Sequence, residues 1–137
     1  MLDLIDPLDP DDPIAHQFVP ATEELIDART DIADPIGDAT HSPLPGIVHR
    51  YPDRLLLTPL RMCPVYCRFC FRRETVGHTD SGALSADELQ AAFAYIRAHT
   101  EIWEVILSGG DPLLLSPRRL QQLFDELDTI RHVRVIR

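Results

Sequence analysis

Between Arg54 and Ile136 the chain alternates short apolar runs with helical stripes, and this order constrains the fold more than any other feature. Leu55, Leu56 and Leu57 form a continuous run bounded by Asp53 and Pro59, the pattern of a buried strand. A helix follows: Ser85 can cap it while Glu88, three residues on, reaches back, and Leu89, Ala92, Phe93 and Ile96 recur at helical spacing. Trp103 to Leu107 reads as a second buried strand that stops at Ser108-Gly109-Gly110-Asp111. Ser116 and Pro117 open a second helix with the stripe Leu120, Leu123, Phe124 and Leu127, and Val133 to Ile136 reads as a third strand. Strand, helix, strand, helix, strand is a run of βαβ units, so the fold class is α/β with about three parallel strands and right-handed crossovers. Three such strands leave sheet edges unpaired and helix stripes short of partners, so the sequence reads as the opening portion of a larger barrel or open sheet.

Residues 1–49 read differently. Eight of the twelve prolines lie in the first 52 residues, with Asp-Pro pairs at 6-7, 9-10, 12-13 and 34-35, so this is an extended or turning arm ahead of the barrel portion at 50–137. A short helix is expected around Thr22 to Asp27, and Phe18, Val19, Leu25 and Ile26 are expected to anchor the arm on a neighbouring body. Charge divides at the same place. Residues 1–40 hold eleven acids and one arginine, a net of -10, whereas residues 41–137 hold eleven acids and twelve arginines, a net of +1. Within 50–73 six arginines (Arg50, Arg54, Arg61, Arg68, Arg72, Arg73) face one acid, Asp53, so something anionic is expected there. The overall charge of -9 argues against wholesale binding to nucleic acid or an anionic membrane. No apolar run approaches the roughly 20 residues of a membrane span, and the acidic start lacks the basic region of a signal peptide, so a cytoplasmic protein is expected. With no lysine anywhere, no Schiff base to an aldehyde cofactor can form within this chain.

All three cysteines lie in one window, Cys63-Pro-Val-Tyr-Cys67-Arg-Phe-Cys70, just after the first strand. On a loop at the C-terminal end of a barrel strand, three thiolates can converge on one soft metal centre, and nearby arginines are expected to lower the thiol pKa values. Zinc is one rival, but no second cysteine pair exists, and a fourth ligand would have to be improvised from His78. Disulfides suit an odd count and a protein without export signals no better. An iron-sulfur cubane held by three cysteines would keep one iron open to an outside ligand, and an open iron implies chemistry at the cluster. The bland alternative, buried apolar thiols, is weak for three cysteines at this spacing among arginines and aromatics.

These residues carry a resemblance. The C-x3-C-x2-C window with Phe69 before its last cysteine, followed one strand later by a Gly-Gly-Asp turn, resembles the radical S-adenosylmethionine superfamily. HRYPDRLLLTPLRMCPVYCRFCFRRETVG, EVILSGGDPLLLSP and, in the arm, DPIGDATHSP look like the lysine 2,3-aminomutase family, over about Asp12 to Arg137. The resemblance implies a partial radical SAM (β/α) barrel in which Cys63, Cys67 and Cys70 hold a 4Fe-4S cluster. Its open iron chelates S-adenosylmethionine, which is cleaved to a 5'-deoxyadenosyl radical in a site kept dry. Phe69 and the turn Ser108, Gly109, Gly110 and Asp111 would contact S-adenosylmethionine, although the tetrapeptide alone also reads as a plain strand-to-loop turn. Arg50, Tyr51 and Arg54 would contact the phosphate of pyridoxal phosphate, and Arg72 the substrate's carboxylate; surface charge is the commoner fate of any single arginine. The implied reaction is a 1,2-amino migration on an amino acid, lysine first, with flavodoxin or ferredoxin as electron donor. Phe69 stands where some members have histidine, and relatives act on glutamate or on a lysine side chain of a translation elongation factor.

The family's pyridoxal lysine and the acids that grip its substrate's side chain belong to a C-terminal part with no counterpart here. The chain therefore reads as truncated, completed by a C-terminal half or by homo-oligomerisation. The competing readings are a non-catalytic iron-sulfur or metal-binding module and a decayed remnant of such an enzyme.

Overall fold

A computed structural model describes residues 2–26, 32–77 and 82–137. Four strands, β1 (Ile47–Tyr51), β2 (Arg54–Leu60), β3 (Glu104–Gly109) and β4 (Val135–Ile136), form one open sheet in that order. Among the described residues three α-helices accompany them: α1 (Ala15–Phe18) in the arm, α2 (Ala86–Ala98) between β2 and β3, and α3 (Pro117–Asp128) between β3 and β4. β2, β3 and β4 are parallel, as the βαβ alternation requires. Both crossover helices start where expected. Ser85 and Glu88 close a reciprocal capping box on α2, with Ser85 N–H donating to Glu88 at 2.8 Å, and Ser116 caps α3 ahead of Pro117.

β1 is the element that patterning did not show. It runs antiparallel to β2, with Ile47 opposite Leu57, Val48 opposite Leu56 and Tyr51 opposite Arg54. Prolines at 43, 45 and 52 crowd its flanks, and they make the segment look like more of the arm. It spans the division expected at residue 49. β3 starts at Glu104 and runs on through Ser108 to Gly109, which pairs with Leu60, so half of the glycine-rich tetrapeptide belongs to the strand. Trp103 stays outside β3, its indole N–H donating to Asp53 at 3.0 Å. β4 is reduced to two residues, opposite Glu104 and Val105.

One face of the sheet carries the core. Leu55, Leu57 and Val105 are buried under Ala92, Phe93 and Ile96 of α2 and Leu123 and Leu127 of α3, with Ile47, Ile102 and Ile130 completing the cluster. Burial of each large side chain stabilises by about 1.5–3 kcal/mol. Phe124 sits at the rim of its stripe, 37% exposed. On the opposite face, Leu56 and Ile106 form a register pair with no helix over it among the described residues.

The arm is fastened differently from what its apolar residues suggest. Val19, Leu25 and Ile26 are exposed, and a 3-10 turn at Thr22–Leu25 replaces the expected helix, whose last residue, Asp27, lies outside the described residues. Its aspartates do the work instead. Buried Asp12 accepts from the N–H groups of Asp6, Ile14 and Ala15, and Asp34 accepts from those of Asp38 and Ala39. Side-chain to backbone bonds of this kind suit a proline-punctuated segment better than helix does. Among the described residues no helix is long and apolar enough to cross a membrane.

Candidate active site

The cysteine loop leaves the C-terminal end of β2 and is docked on the end of β3. Gly110 N–H donates to Leu60 O and Asp111 N–H to Met62 O, both at 2.8 Å, while Gly77 N–H returns to Arg61 O at 3.0 Å. Within the loop, Cys70 N–H donates to Cys67 O at 3.1 Å. All three cysteines are free, Cys67 exposed and Cys63 and Cys70 half-buried. Among the described residues no three Cys, His, Asp or Glu side chains are already gathered as a metal centre, and His78 lies outside those residues.

Burial pushes the Cys63 thiol up, the Asp111 backbone N–H pulls against it, and Cys70, Asp111 and Cys67 push it further. At Cys63 the expected lowering by arginines is not found, and Arg68 and Arg72 turn to carboxylates of the arm. Three soft donors on one short loop, the other two thiols pushing on that of Cys63, are a donor set that a metal centre completes, so these residues fit a cubane cluster.

Glycine is demanded twice in the turn beside them. Gly109 has φ +96°, and a Cβ on it would lie 2.8 Å from Leu60 O. A Cβ on Gly110 would lie 2.2 Å from Met62 O. Asp111 uses one carboxylate oxygen to cap the 3-10 turn Pro112–Leu114, accepting from Leu113 N–H at 2.9 Å. Phe69, at 77% exposed, stands out from the loop.

The uncovered face of the sheet holds the arginines. Arg50, Tyr51, Arg54 and Arg72 line one cavity of about 320 Å³ with Leu56 and Ile106 as its floor and Ile36 and Asp38 of the arm as its side. The expected phosphate and carboxylate ligands are thus brought together, in a donor set that suits two anionic groups. Each guanidinium already has a partner. Arg54 forks onto Asp53 at 2.9 and 3.0 Å and lies 3.5 Å from buried Glu104. Arg50 binds Ile36 O and lies 3.5 Å from Asp38. Arg72 donates from Nε to Asp38 at 2.8 Å and from Nη1 to Ser108 Oγ at 3.1 Å, and its guanidinium lies 4.7 Å from the centre of the Phe71 ring. Tyr51 is exposed.

Arg68, between two of the cysteines, is clasped by the arm. Its backbone N–H donates to Gln17 O at 2.8 Å, and its guanidinium binds both oxygens of Glu24. That pairing, and the Ala21 N–H behind it, hold the Glu24 carboxyl down at about 2. A depressed carboxylate contributes its attachment above its unfolded pKa and loses it as pH falls through the folded value, so the clasp is expected to release between pH 4.5 and about 2. Amide exchange at Arg68 should lose protection over that window, and a Glu24→Gln chain should show the weaker protection already at neutral pH. Equal protection in both chains at pH 6 would show that the ion pair holds nothing.

The model of the radical SAM superfamily matches residues 57–136. The chain belongs to the radical SAM superfamily. The matched residues include the end of β2 from Leu57, the cysteine loop, β3, the Ser108–Asp111 turn and β4 of this radical SAM chain, but stop short of β1 and the arm. The chain is 43% identical to the L-lysine 2,3-aminomutase of Clostridium subterminale and 45% identical to that of Acetoanaerobium sticklandii, each over 99% of its own length. It is 40% identical to the glutamate 2,3-aminomutase of Clostridioides difficile, again over 99% of its length. These matches cover 32%, 33% and 32% of the relatives, so the chain spans about a third of their length.

Two residues of the site escape sequence reasoning. Asp38 and Glu24 are the partners of Arg72 and Arg68 across 34 and 44 residues of chain. The signal was the charge division itself: an acidic arm and a basic cysteine loop in one chain are complementary surfaces.

Proposed function

We propose that this chain forms the cluster-binding and cofactor-binding part of a radical aminomutase, which moves an amino group between adjacent carbons of an amino acid, lysine first. The observation that carries the reading is the docking of a three-thiol loop on the Ser108–Asp111 turn, which sets Cys63 against the Asp111 backbone N–H. In this reading Cys63, Cys67 and Cys70 hold the 4Fe-4S cluster, and Phe69, Ser108, Gly109, Gly110 and Asp111 receive S-adenosylmethionine. Arg50, Tyr51 and Arg54 take the phosphate of pyridoxal phosphate, and Arg72 the substrate's carboxylate.

When bound, the cluster supplies an electron and an open iron, S-adenosylmethionine the 5'-deoxyadenosyl radical, and pyridoxal phosphate the aldehyde used in 1,2-amino migration. The chain's own residues bind and orient. The Asp111 carboxylate has one oxygen left to accept from an ammonium, and the aromatic rings of Phe69 and Phe71 flank Cys70 where water must be kept from a radical. The guanidiniums of Arg50, Arg54 and Arg72 offer planar forks to phosphate and carboxylate. The lysine for the pyridoxal aldehyde would come from outside these 137 residues. The reading also has the chain in the cytoplasm, with flavodoxin or ferredoxin as donor and a C-terminal half or a second copy completing the sheet.

Anaerobic reconstitution with iron and sulfide, followed by electron paramagnetic resonance of the reduced chain, tests it. A cubane signal that shifts on adding S-adenosylmethionine is expected. A signal that ignores it would leave a non-catalytic metal-binding module, and no cluster at all would leave a remnant.

A further inference from the structure

We infer that Asp38, a carboxylate of the arm, is the positioning residue for Arg72: it holds that guanidinium in the orientation that receives a substrate carboxylate and ties it to Arg50. The inference rests on the reading above that Arg72 is the carboxylate ligand.

The geometry is specific. Arg72 has five N–H donors. Asp38 Oδ2 takes the one on Nε at 2.8 Å, and Ser108 Oγ takes one on Nη1 at 3.1 Å. The three that remain all lie on Nη1 and Nη2, at the end of the fork. With the ring of Phe71 4.7 Å away and the side chain only 14% exposed, the group is held by two hydrogen bonds and a stacking contact in place of water. The other oxygen of Asp38, Oδ1, lies 3.5 Å from Arg50 Nη2, so one carboxylate spans the two arginines that line the cavity.

Asp38 is itself held from behind. Asp34 accepts from the N–H groups of Asp38 and Ala39 at 2.9 and 2.8 Å, and Arg50 donates to Ile36 O two residues before Asp38. A side chain with four rotatable bonds loses little further freedom on binding when its fork is already set, which is where preorganisation adds affinity. Neutralising Asp38 therefore has two opposed effects: the cavity becomes more positive, which favours any small anion, and Arg72 loses its orientation, which disfavours a ligand that needs a defined fork. A carboxylate present only for charge balance would show the first effect alone.

The test uses the 137-residue chain with L-lysine and inorganic phosphate as probes. In the unaltered chain, nitrogen-15 spectra should show a slowly exchanging Arg72 Nε–H signal, assigned by its loss in Arg72→Gln; its absence would overturn the inference without any further variant. Asp38→Asn is expected to abolish that signal and to weaken L-lysine binding about tenfold, the scale of one charge-assisted hydrogen bond, without weakening phosphate binding. Asp38→Glu, which keeps the charge, should restore part of both and serves in place of Asp38→Asn if the latter fails to fold. Lysine affinity unchanged in Asp38→Asn but lost in Arg72→Gln would refute the role of Asp38 and spare that of Arg72. Lysine affinity unchanged in Arg72→Gln would instead refute the reading of Arg72, and the inference with it.

Discussion

A Gly110→Ala chain is expected to keep its helices and its sheet and to lose the ability to assemble a cluster. The added Cβ would lie 2.2 Å from Met62 O, 2.5 Å from Met62 N and 2.7 Å from Met62 C, and all three are backbone atoms that no side-chain rotation can move aside. Relief requires the start of the cysteine loop to part from the end of β3. That breaks the 2.8 Å bonds from Gly110 N–H to Leu60 O and from Asp111 N–H to Met62 O, both just ahead of Cys63. Two backbone bonds and the strain together cost several kcal/mol, on the order of 2–5. The core against α2 and α3 lies on the other side of β2, so the loss falls on the loop. Iron and sulfide content after anaerobic reconstitution, with circular dichroism as the check on fold, measures it. Gly82→Ala is the control, because a Cβ there meets nothing within 4 Å. Reconstitution of Gly110→Ala at the wild-type level would mean that docking on the turn does not hold the loop.

Single replacement of Cys63, Cys67 or Cys70 by alanine is expected to reduce bound iron to background and to remove the response to S-adenosylmethionine in all three cases. Three thiolates are the least that hold a cubane while leaving one iron open, so no cysteine is spare. The equality of the three effects is the informative part, because their surroundings differ: Cys67 is exposed, whereas Cys63 is half-buried, with its thiol pushed up by burial and by its neighbours. If burial alone governed metal retention, Cys67→Ala would be mild. A chain that keeps its iron after losing Cys67 would point to a centre with other ligands, and the three-thiolate site would be wrong. Metal analysis separates iron from zinc in the same samples.

The parallel strands and their crossovers were legible because period and capping are local: Ser85 with Glu88, and Ser116 with Pro117, announce helices without reference to the rest of the molecule. The cysteine loop and the Gly-Gly-Asp turn were legible for the same reason. β1 was not. Its strand character comes from pairing with β2 rather than from alternation, and three prolines in its vicinity argue against it. Of the expected apolar anchors of the arm, Phe18 is half-buried while Val19, Leu25 and Ile26 are exposed, because exposure there is set by where aspartate-stabilised turns send the chain, and Leu25, 84% exposed, follows that path.

The run of residues was enough to establish a parallel α/β sheet, the three thiols on the loop after its first parallel strand, and a glycine-rich turn one strand later. It also established that an acidic arm and a basic loop occur in one chain, and from that an outside anion was expected among the arginines. The three-dimensional arrangement supplies anions from within: Glu24 on Arg68, Asp38 on Arg72 and Arg50, Asp53 on Arg54. Two of these three carboxylates come from the arm, Glu24 paired across 44 residues and Asp38 across 34 to Arg72 and 12 to Arg50. Local patterning reports the sign of a charge and the period of an apolar face, both properties of neighbours in sequence. Which carboxylate meets which guanidinium depends on how the arm crosses the open face of the sheet, and that path is set by packing and hydrogen bonding among residues far apart in the chain.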